Sequence, residues 1–159
     1  MTDLTTEDTV YVIYIATTPE KVWVALTSSA FTTKYFFGRT VESDWKKGSK
    51  WLLRMPDGRV DVVGEVRESD PPRKLVLSWN VDWLPEKLPE AIVTYEIEAA
   101  GDGLVRLTMT EAHPTPISKT LLEGGRKGWP MILSGLKSLL ETGKPLAMPT
   151  PQPPKELEK

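Results

Sequence analysis

Glu111 and His113, the only histidine of the chain, stand near the end of an alternating run and are the residues best suited to chemistry. A spacing of two places both side chains on the same face of a β-strand. If that face is buried, the carboxylate and the imidazole would provide a polar anchor or a general acid and base. If the strand ends at Pro114, both side chains meet water instead. The sequence leaves these alternatives open.

Aromatic side chains along the same strands form a second group. Such rings either line a pocket for flat apolar molecules or simply fill the core. We predict a ligand-binding wall of aromatic and apolar residues with Glu111 or His113 as its polar anchor. The predicted site comprises Phe36, Trp51, Leu53, Trp79, Tyr95, Met109, Glu111, His113, Trp129 and Leu133.

The motifs of common catalytic and cofactor sites are missing from the sequence. It contains no phosphate-binding G-x-x-x-x-G-K-[ST] loop, no H-E-x-x-H and no G-x-S-x-G elbow. Gly101 and Gly103 lack the third glycine and the following helix of a dinucleotide site. With one histidine and no cysteine, we predict neither a metal nor a cofactor, and we assign no catalytic residue.

Length and charge narrow the class of protein. A chain of 159 residues fits one domain with a sizeable core. Its 20 basic and 22 acidic residues are interspersed and leave a net charge of -2, which offers no basic field for nucleic acid. No stretch has the ~20 apolar residues that cross a bilayer, and the first residues lack the apolar run of a signal peptide. We expect a cytoplasmic protein without nucleic-acid partners or membrane insertion.

The strands that must position these residues are predicted from the alternation of apolar and polar side chains. Each run offers one apolar face and one wet face, and turns rich in Pro, Asp and Gly separate the runs. We therefore expect an antiparallel sheet that is covered on one side. The predicted strands are 10–17, 40–43, 50–55, 60–67, 74–81, 93–99 and 105–110.

Two short helices are expected after the first strand. Thr18 is the predicted N-cap of the first, and Pro19 would follow at a position where its missing amide hydrogen costs nothing. The second is predicted over residues 30–36. Gly38 would end it, because glycine readily adopts the left-handed conformation that helix ends favour.

A long amphipathic helix is predicted over residues 117–142, and it must cover the sheet. Pro130 and the neighbouring glycines predict a kink or break near Gly128. Gly125 and Gly128 are small where the helix crosses the sheet, which either lets the backbones approach or leaves room for a ligand. The longest connection inside the domain, 82–89, carries two large apolar residues as a lid or as packing at the end of the sheet.

Together these elements predict an α+β fold. A curved antiparallel sheet of about seven strands would wrap around the C-terminal helix and leave an apolar cavity between the two layers. We assign residues 9–143 to this single domain, 1–8 to a flexible N-terminus and 144–159 to a proline-rich disordered tail. An exposed edge strand at 10–17 or 40–43 would allow a homodimer, although such edges are usually charged or covered.

Several short segments also carry a family pattern. They are IATTPEKVW (15–23), YFFG (35–38), WKKGSKW (45–51), GEVRESDPPRKL (64–75), Ser78-Trp79, and Gly128-Trp129 followed by Leu133 and Leu136. With them, the chain from about residue 10 to 142 resembles the START-like helix-grip superfamily (SRPBCC), and within it the homologues of the activator of the heat-shock protein 90 ATPase. The resemblance implies a helix-grip fold whose cavity often suits a hydrophobic or aromatic ligand.

The resemblance leaves several functions open, because its members include lipid carriers, hormone receptors, polyketide cyclases and co-chaperone domains. Our first hypothesis is that the cavity binds a small hydrophobic or aromatic molecule, lipids included, without catalysis. The second is a co-chaperone-like module that acts on a heat-shock chaperone in the stress response. The third is a polyketide cyclase-like enzyme in which His113 or Glu111 moves protons, and it requires both side chains to face the cavity.

Overall fold

The computed structural model describes residues 3–84, 87–147 and 149, and nine strands and three helices lie within them. None of the described helices has the length and hydropathy to span a membrane. The elements are β1 (Leu4–Thr5), β2 (Thr9–Ile15), α1 (Pro19–Thr27), α2 (Ser29–Tyr35), β3 (Thr40–Ser43), β4 (Lys50–Arg54), β5 (Val60–Asp70), β6 (Lys74–Val81), β7 (Ala91–Gly101), β8 (Leu104–Ala112), β9 (Ile117–Ser118) and α3 (Lys119–Thr142).

Seven of the strands form one antiparallel sheet in the order β2-β8-β7-β6-β5-β4-β3, so β2 and β3 are its two edges. The helix α3 lies across one face of this sheet and buries its apolar stripe there, including Trp129, Leu133 and Leu136. The predicted α+β helix-grip fold is confirmed.

The core follows the predicted alternation of side chains. Val93, Tyr95 and Ile97 of β7 are buried, as are Leu107 and Met109 of β8. Tyr95 lies opposite Met109 and Ile97 opposite Leu107 in the antiparallel register. Because the side-chain direction repeats every two residues, this register sets one complete apolar face against α3.

Several strands are longer than predicted, and one extension matters for function. The alternation of apolar and polar residues predicted a strand over 105–110, whereas β8 continues to Ala112. Its last residues pair with the start of β7, with Glu111 opposite Val93. Backbone pairing with β7 continues past the end of the clear pattern, so Glu111 keeps the core-facing direction of Met109.

The short helices agree closely with their capping signals. The Thr18 hydroxyl accepts a hydrogen bond from the Lys21 amide at 3.3 Å, and Pro19 begins α1 as predicted. The end of α2 precedes Gly38, which adopts the expected left-handed conformation with φ 76°. Phe37 is left-handed as well, with φ 49°, which is uncommon for a bulky residue.

The long helix begins two residues later than predicted because Ile117–Ser118 forms strand β9. This strand pairs with β1 (Leu4–Thr5), which lies within the segment 1–8 that we predicted to be flexible. The Ser118 hydroxyl then accepts a hydrogen bond from the Leu121 amide at 3.2 Å and caps α3. Most of the predicted tail, 144–159, lies outside the described residues.

The predicted break in α3 near Gly128 is wrong, because the helix continues through it to Thr142. Pro130 lacks the N–H that would bond to the carbonyl of Arg126 four residues earlier. The Tyr11 hydroxyl of β2 donates a hydrogen bond to that carbonyl at 3.4 Å. A tertiary contact therefore replaces the hydrogen bond that the proline cannot make. The kink, the other form of the prediction, stays a prediction.

Candidate functional site

A cavity of about 320 Å³ lies between one end of the sheet and the N-terminal half of α3. Strands β5, β6 and β8 contribute to its wall, together with the connections that follow α2 and β6. On the helix, Leu121, Gly124, Gly128 and Ile132 recur at the spacing of one face. The apolar wall includes Phe36, Val62, Trp79, Val81, Trp83, Leu84, Leu88, Ala91, Trp129 and Ile132.

Glu111 and His113 both line this cavity and form its polar end. They are 9% and 6% exposed, respectively. The Trp129 indole Nε1 donates a hydrogen bond to Glu111 Oε2 at 3.0 Å. His113 Nε2 lies 3.3 Å from Glu111 Oε1, but the contact lacks hydrogen-bond geometry. Among the described residues, neither imidazole nitrogen has a hydrogen-bond partner.

This arrangement decides between the two alternatives for the strand end. Glu111 and His113 do not meet water at a frayed terminus, because the ladder of β8 extends to Ala112 and keeps Glu111 on the core side. Both side chains therefore border the cavity, as proton transfer to a bound substrate would require. Catalysis itself stays a prediction.

A second polar group lies elsewhere on the wall. Arg39 Nε donates a hydrogen bond to Asp61 Oδ2 at 2.9 Å, and its Nη1 donates to the Phe37 carbonyl at 3.0 Å. The two opposite charges of this ion pair cancel. Among the described residues of the wall, Glu111 is therefore the acid without a full counter-charge.

Burial also affects the tyrosines near the cavity. It raises the pKa of the Tyr95 phenol far above its ordinary value, and the charge of Glu111 raises it further. Burial likewise raises the pKa of Tyr35, whose hydroxyl donates a hydrogen bond to the Ala25 carbonyl at 2.7 Å. Both phenols therefore stay protonated and uncharged at neutral pH.

Residues 16–141 match the family described as Activator of Hsp90 ATPase homolog 1-like protein. The chain belongs to this family. The match covers most of the domain from α1 to α3 and agrees with the resemblance inferred from the short segments. No curated protein matches the chain.

Solved structures that are similar to the chain share its fold. A protein from Mesorhizobium loti is 24% identical, with a TM-score of 0.72 over 84% of this chain and 96% of that one. An HSP90 activator from Plasmodium falciparum is 25% identical, with a TM-score of 0.64 over 77% and 86%. The Aha1 dimer from Colwellia psychrerythraea is 20% identical, with a TM-score of 0.70 over 87% and 98%.

The structure brings half of the predicted site residues to the cavity. Phe36, Trp79, Glu111, His113 and Trp129 line it. The other five lie in the core and do not line the cavity. They are Trp51, Leu53, Tyr95, Met109 and Leu133. The alternation identified the correct face of the sheet, but it gives no information about the position along each strand where sheet and helix separate.

Arg39 and Asp61 also line the cavity, and neither was predicted as a site residue. No local pattern links them, since the contact joins the segment after α2 to strand β5. The glycines of α3 were a partial signal, and the structure separates their roles. A β-carbon at Gly125 would lie 3.3 Å from Glu111 Oε1, whereas one at Gly128 would meet nothing within 4 Å. The first allows close approach and the second leaves room.

The described residues contain no group of three or more His, Asp or Glu side chains placed to hold a metal ion.

Proposed function

We propose that this family member binds a small hydrophobic or aromatic molecule in the cavity between the sheet and α3. The observation that carries the proposal is a space of about 320 Å³ whose wall is largely apolar, with Glu111 and His113 at one end and the Arg39–Asp61 ion pair elsewhere. This volume falls within the range of about 300 to 1,000 Å³ that is typical of small-molecule sites. Binding requires no catalytic group, and a lipid is one candidate within this class.

The aromatic part of the wall is held in place by the protein itself. The ring of Trp79 packs 4.9 Å from Trp51 and 5.4 Å from Trp129, measured between ring centroids. Trp51 Nε1 donates to the Ser78 carbonyl at 2.8 Å, and Trp129 is fixed through Glu111. Because these indoles are anchored before a ligand arrives, little conformational entropy would be lost on binding.

Titration of intrinsic tryptophan fluorescence tests this proposal, since three tryptophans line the cavity. We expect saturable changes with at least one class among fatty acids, flavonoids and polyketide-like aromatics. Trp79→Ala should lose the response, whereas Tyr14→Ala, which alters a half-exposed side chain on β2, should keep it. Circular dichroism establishes that both variants are folded. A flat response of the wild-type protein to the whole panel would contradict the proposal.

The family supports a second candidate, a module that acts on a heat-shock chaperone. The Plasmodium falciparum structure is named as an HSP90 activator, and β2 presents an apolar row on its outer side. Val10, Val12 and Tyr14 of that row are 57%, 44% and 50% exposed. Retention of Hsp90 from a native lysate at low salt, lost in Val12→Lys, would support this function. If the wild-type protein retains no Hsp90, the candidate fails.

A homodimer through an edge strand also stays a proposal. Both predicted edge segments, β2 and β3, are edges of the observed sheet, and the Colwellia psychrerythraea structure is described as a dimer. Sedimentation equilibrium of the purified chain tests it. A single monomeric species at micromolar concentration would contradict a stable dimer.

A further inference from the structure

We propose that the ligand of this cavity carries an uncharged hydroxyl group, which binds at Glu111 and His113, and that the same pair excludes carboxylates. The inference rests on the proposed binding function and specifies its ligand class. It combines the unsatisfied nitrogens of His113, the uncompensated charge of Glu111 and the apolar wall around them.

The imidazole of His113 lacks a hydrogen-bond partner at both of its nitrogens among the described residues. Both nitrogens are buried. In its neutral form, an imidazole presents one N–H donor and one acceptor nitrogen. Buried polar groups in native proteins are nearly always paired, so a bound molecule is expected to supply what the described chain does not.

The carboxylate of Glu111 gives the polar end of the cavity a negative charge. One oxygen is engaged by Trp129 Nε1, and the other lies next to His113 Nε2 and close to Gly125 of α3. A β-carbon at residue 125 would lie 3.3 Å from Glu111 Oε1, so the helix backbone passes close to the carboxylate. The guanidinium of Arg39 is already paired with Asp61 at 2.9 Å, so its charge is largely compensated there.

Four common ligand groups can be compared at this end of the cavity. A carboxylate has only acceptors and would meet the negative charge of Glu111 in poorly solvated surroundings. An ammonium group would pair with the charge of Glu111, but it has only donors, so the imidazole N–H would still lack an acceptor. A hydrocarbon would pair with neither side chain. A hydroxyl can accept from the imidazole N–H of His113 while it donates to the carboxylate of Glu111, so it pairs with both side chains.

Equilibrium dialysis with three probes of one ring system tests the inference: naphthalene, 2-naphthol and 2-naphthoate. At a pH of about 8 the hydroxyl of 2-naphthol, like the phenol of tyrosine, keeps its proton, so this probe is uncharged. We expect 2-naphthol to bind about tenfold more tightly than naphthalene, the gain of about one hydrogen bond. We expect 2-naphthoate to bind most weakly.

Two variants assign the preference to the buried acid. Glu111→Gln keeps the shape and an acceptor for Trp129 but removes the charge, so the affinity for 2-naphthoate should rise about tenfold or more relative to the wild type. Glu96→Gln makes the same change at an exposed position of β7 and should leave all three affinities unchanged.

The outcomes separate this inference from the proposed function. If 2-naphthoate binds the wild-type protein as tightly as 2-naphthol, or naphthalene binds as tightly as 2-naphthol, the hydroxyl assignment is overturned while cavity binding stands. The same holds if Glu111→Gln and Glu96→Gln behave alike. If none of the three probes binds, and the fluorescence panel is also silent, the proposed function itself fails.

Discussion

The indole of Trp129 donates a hydrogen bond of 3.0 Å to the carboxylate of Glu111. This contact joins the middle of α3 to the end of strand β8. Both groups are buried, and both line the cavity. The contact fixes the spacing between sheet and helix at the point where the two layers separate. It also holds an acid in an apolar environment, where that acid influences any bound molecule.

Removal of this donor should be costly. Trp129→Phe leaves a buried carboxylate oxygen without its partner, and we expect the free energy of unfolding to fall by about 1–3 kcal/mol from the hydrogen bond alone, with a further loss from the smaller ring. Urea unfolding of Trp129→Phe, Glu111→Gln and the double variant measures the coupling. Strict additivity of the two single changes would contradict an energetic link between the residues.

A second prediction concerns Pro130 inside α3. Tyr11→Phe removes the hydroxyl that bonds to the Arg126 carbonyl, and at 3.4 Å we expect a loss of only about 0.5 kcal/mol. In a Pro130→Ala background, the restored amide would satisfy the same carbonyl, so Tyr11→Phe should cost nothing further. Thermal unfolding of the four proteins checks this. An equal cost in both backgrounds would show that the tyrosine does not act through the helix.

The buried phenols predict how stability changes in alkaline solution. Burial raises the pKa of Tyr95 and Tyr35 in the folded protein, so the folded state holds their protons more tightly than the unfolded state does. The stabilisation is complete below the ordinary tyrosine pKa of about 10 and is lost as the pH rises above it. The fall in urea-unfolding free energy above pH 10 should be smaller in Tyr95→Phe. The same pH dependence in both proteins would contradict the assignment.

Much of the fold could be predicted from the sequence because its signals are local. Alternation in β7 and β8 reports one face of a sheet, and Thr18 with Pro19 reports a helix start from neighbouring residues alone. The candidate site was predicted only in part. Whether a ring such as Trp51 fills the core or faces the cavity depends on where α3 diverges from the sheet, which is a property of distant backbone.

The remaining differences between the predicted and the observed structure come from contacts between residues that are distant in the sequence. The extension of β8 to Glu111 depends on its pairing with Val93, and the ion pair of Arg39 and Asp61 joins segments 22 residues apart. In the same way, Pro130 predicted a kink or break near Gly128, whereas α3 continues there and Tyr11 of β2 bonds to the carbonyl that the proline leaves without its helical partner. Each of these features depends on tertiary contacts, and residue propensities and periodicity carry no information about such contacts.

Filling the cavity from Gly128 tests most directly whether a ligand binds inside it. A β-carbon at this position would meet nothing within 4 Å, and residue 128 shares a helix face with the cavity-lining Gly124 and Ile132. Gly128→Leu should therefore occupy the space without a clash. Gly128→Ala gains helix propensity of about 1 kcal/mol but leaves most of the volume, which makes it the matched control.

The decisive measurement is the affinity of both variants for 2-naphthol, or for whichever aromatic binds the wild type best, together with their urea unfolding. We predict that Gly128→Leu is at least as stable as the wild type yet binds at least about tenfold more weakly, because a buried leucine replaces the ligand's contacts. Gly128→Ala should bind almost as the wild type does. A folded Gly128→Leu with wild-type affinity would contradict the account, since the ligand would then bind outside the cavity.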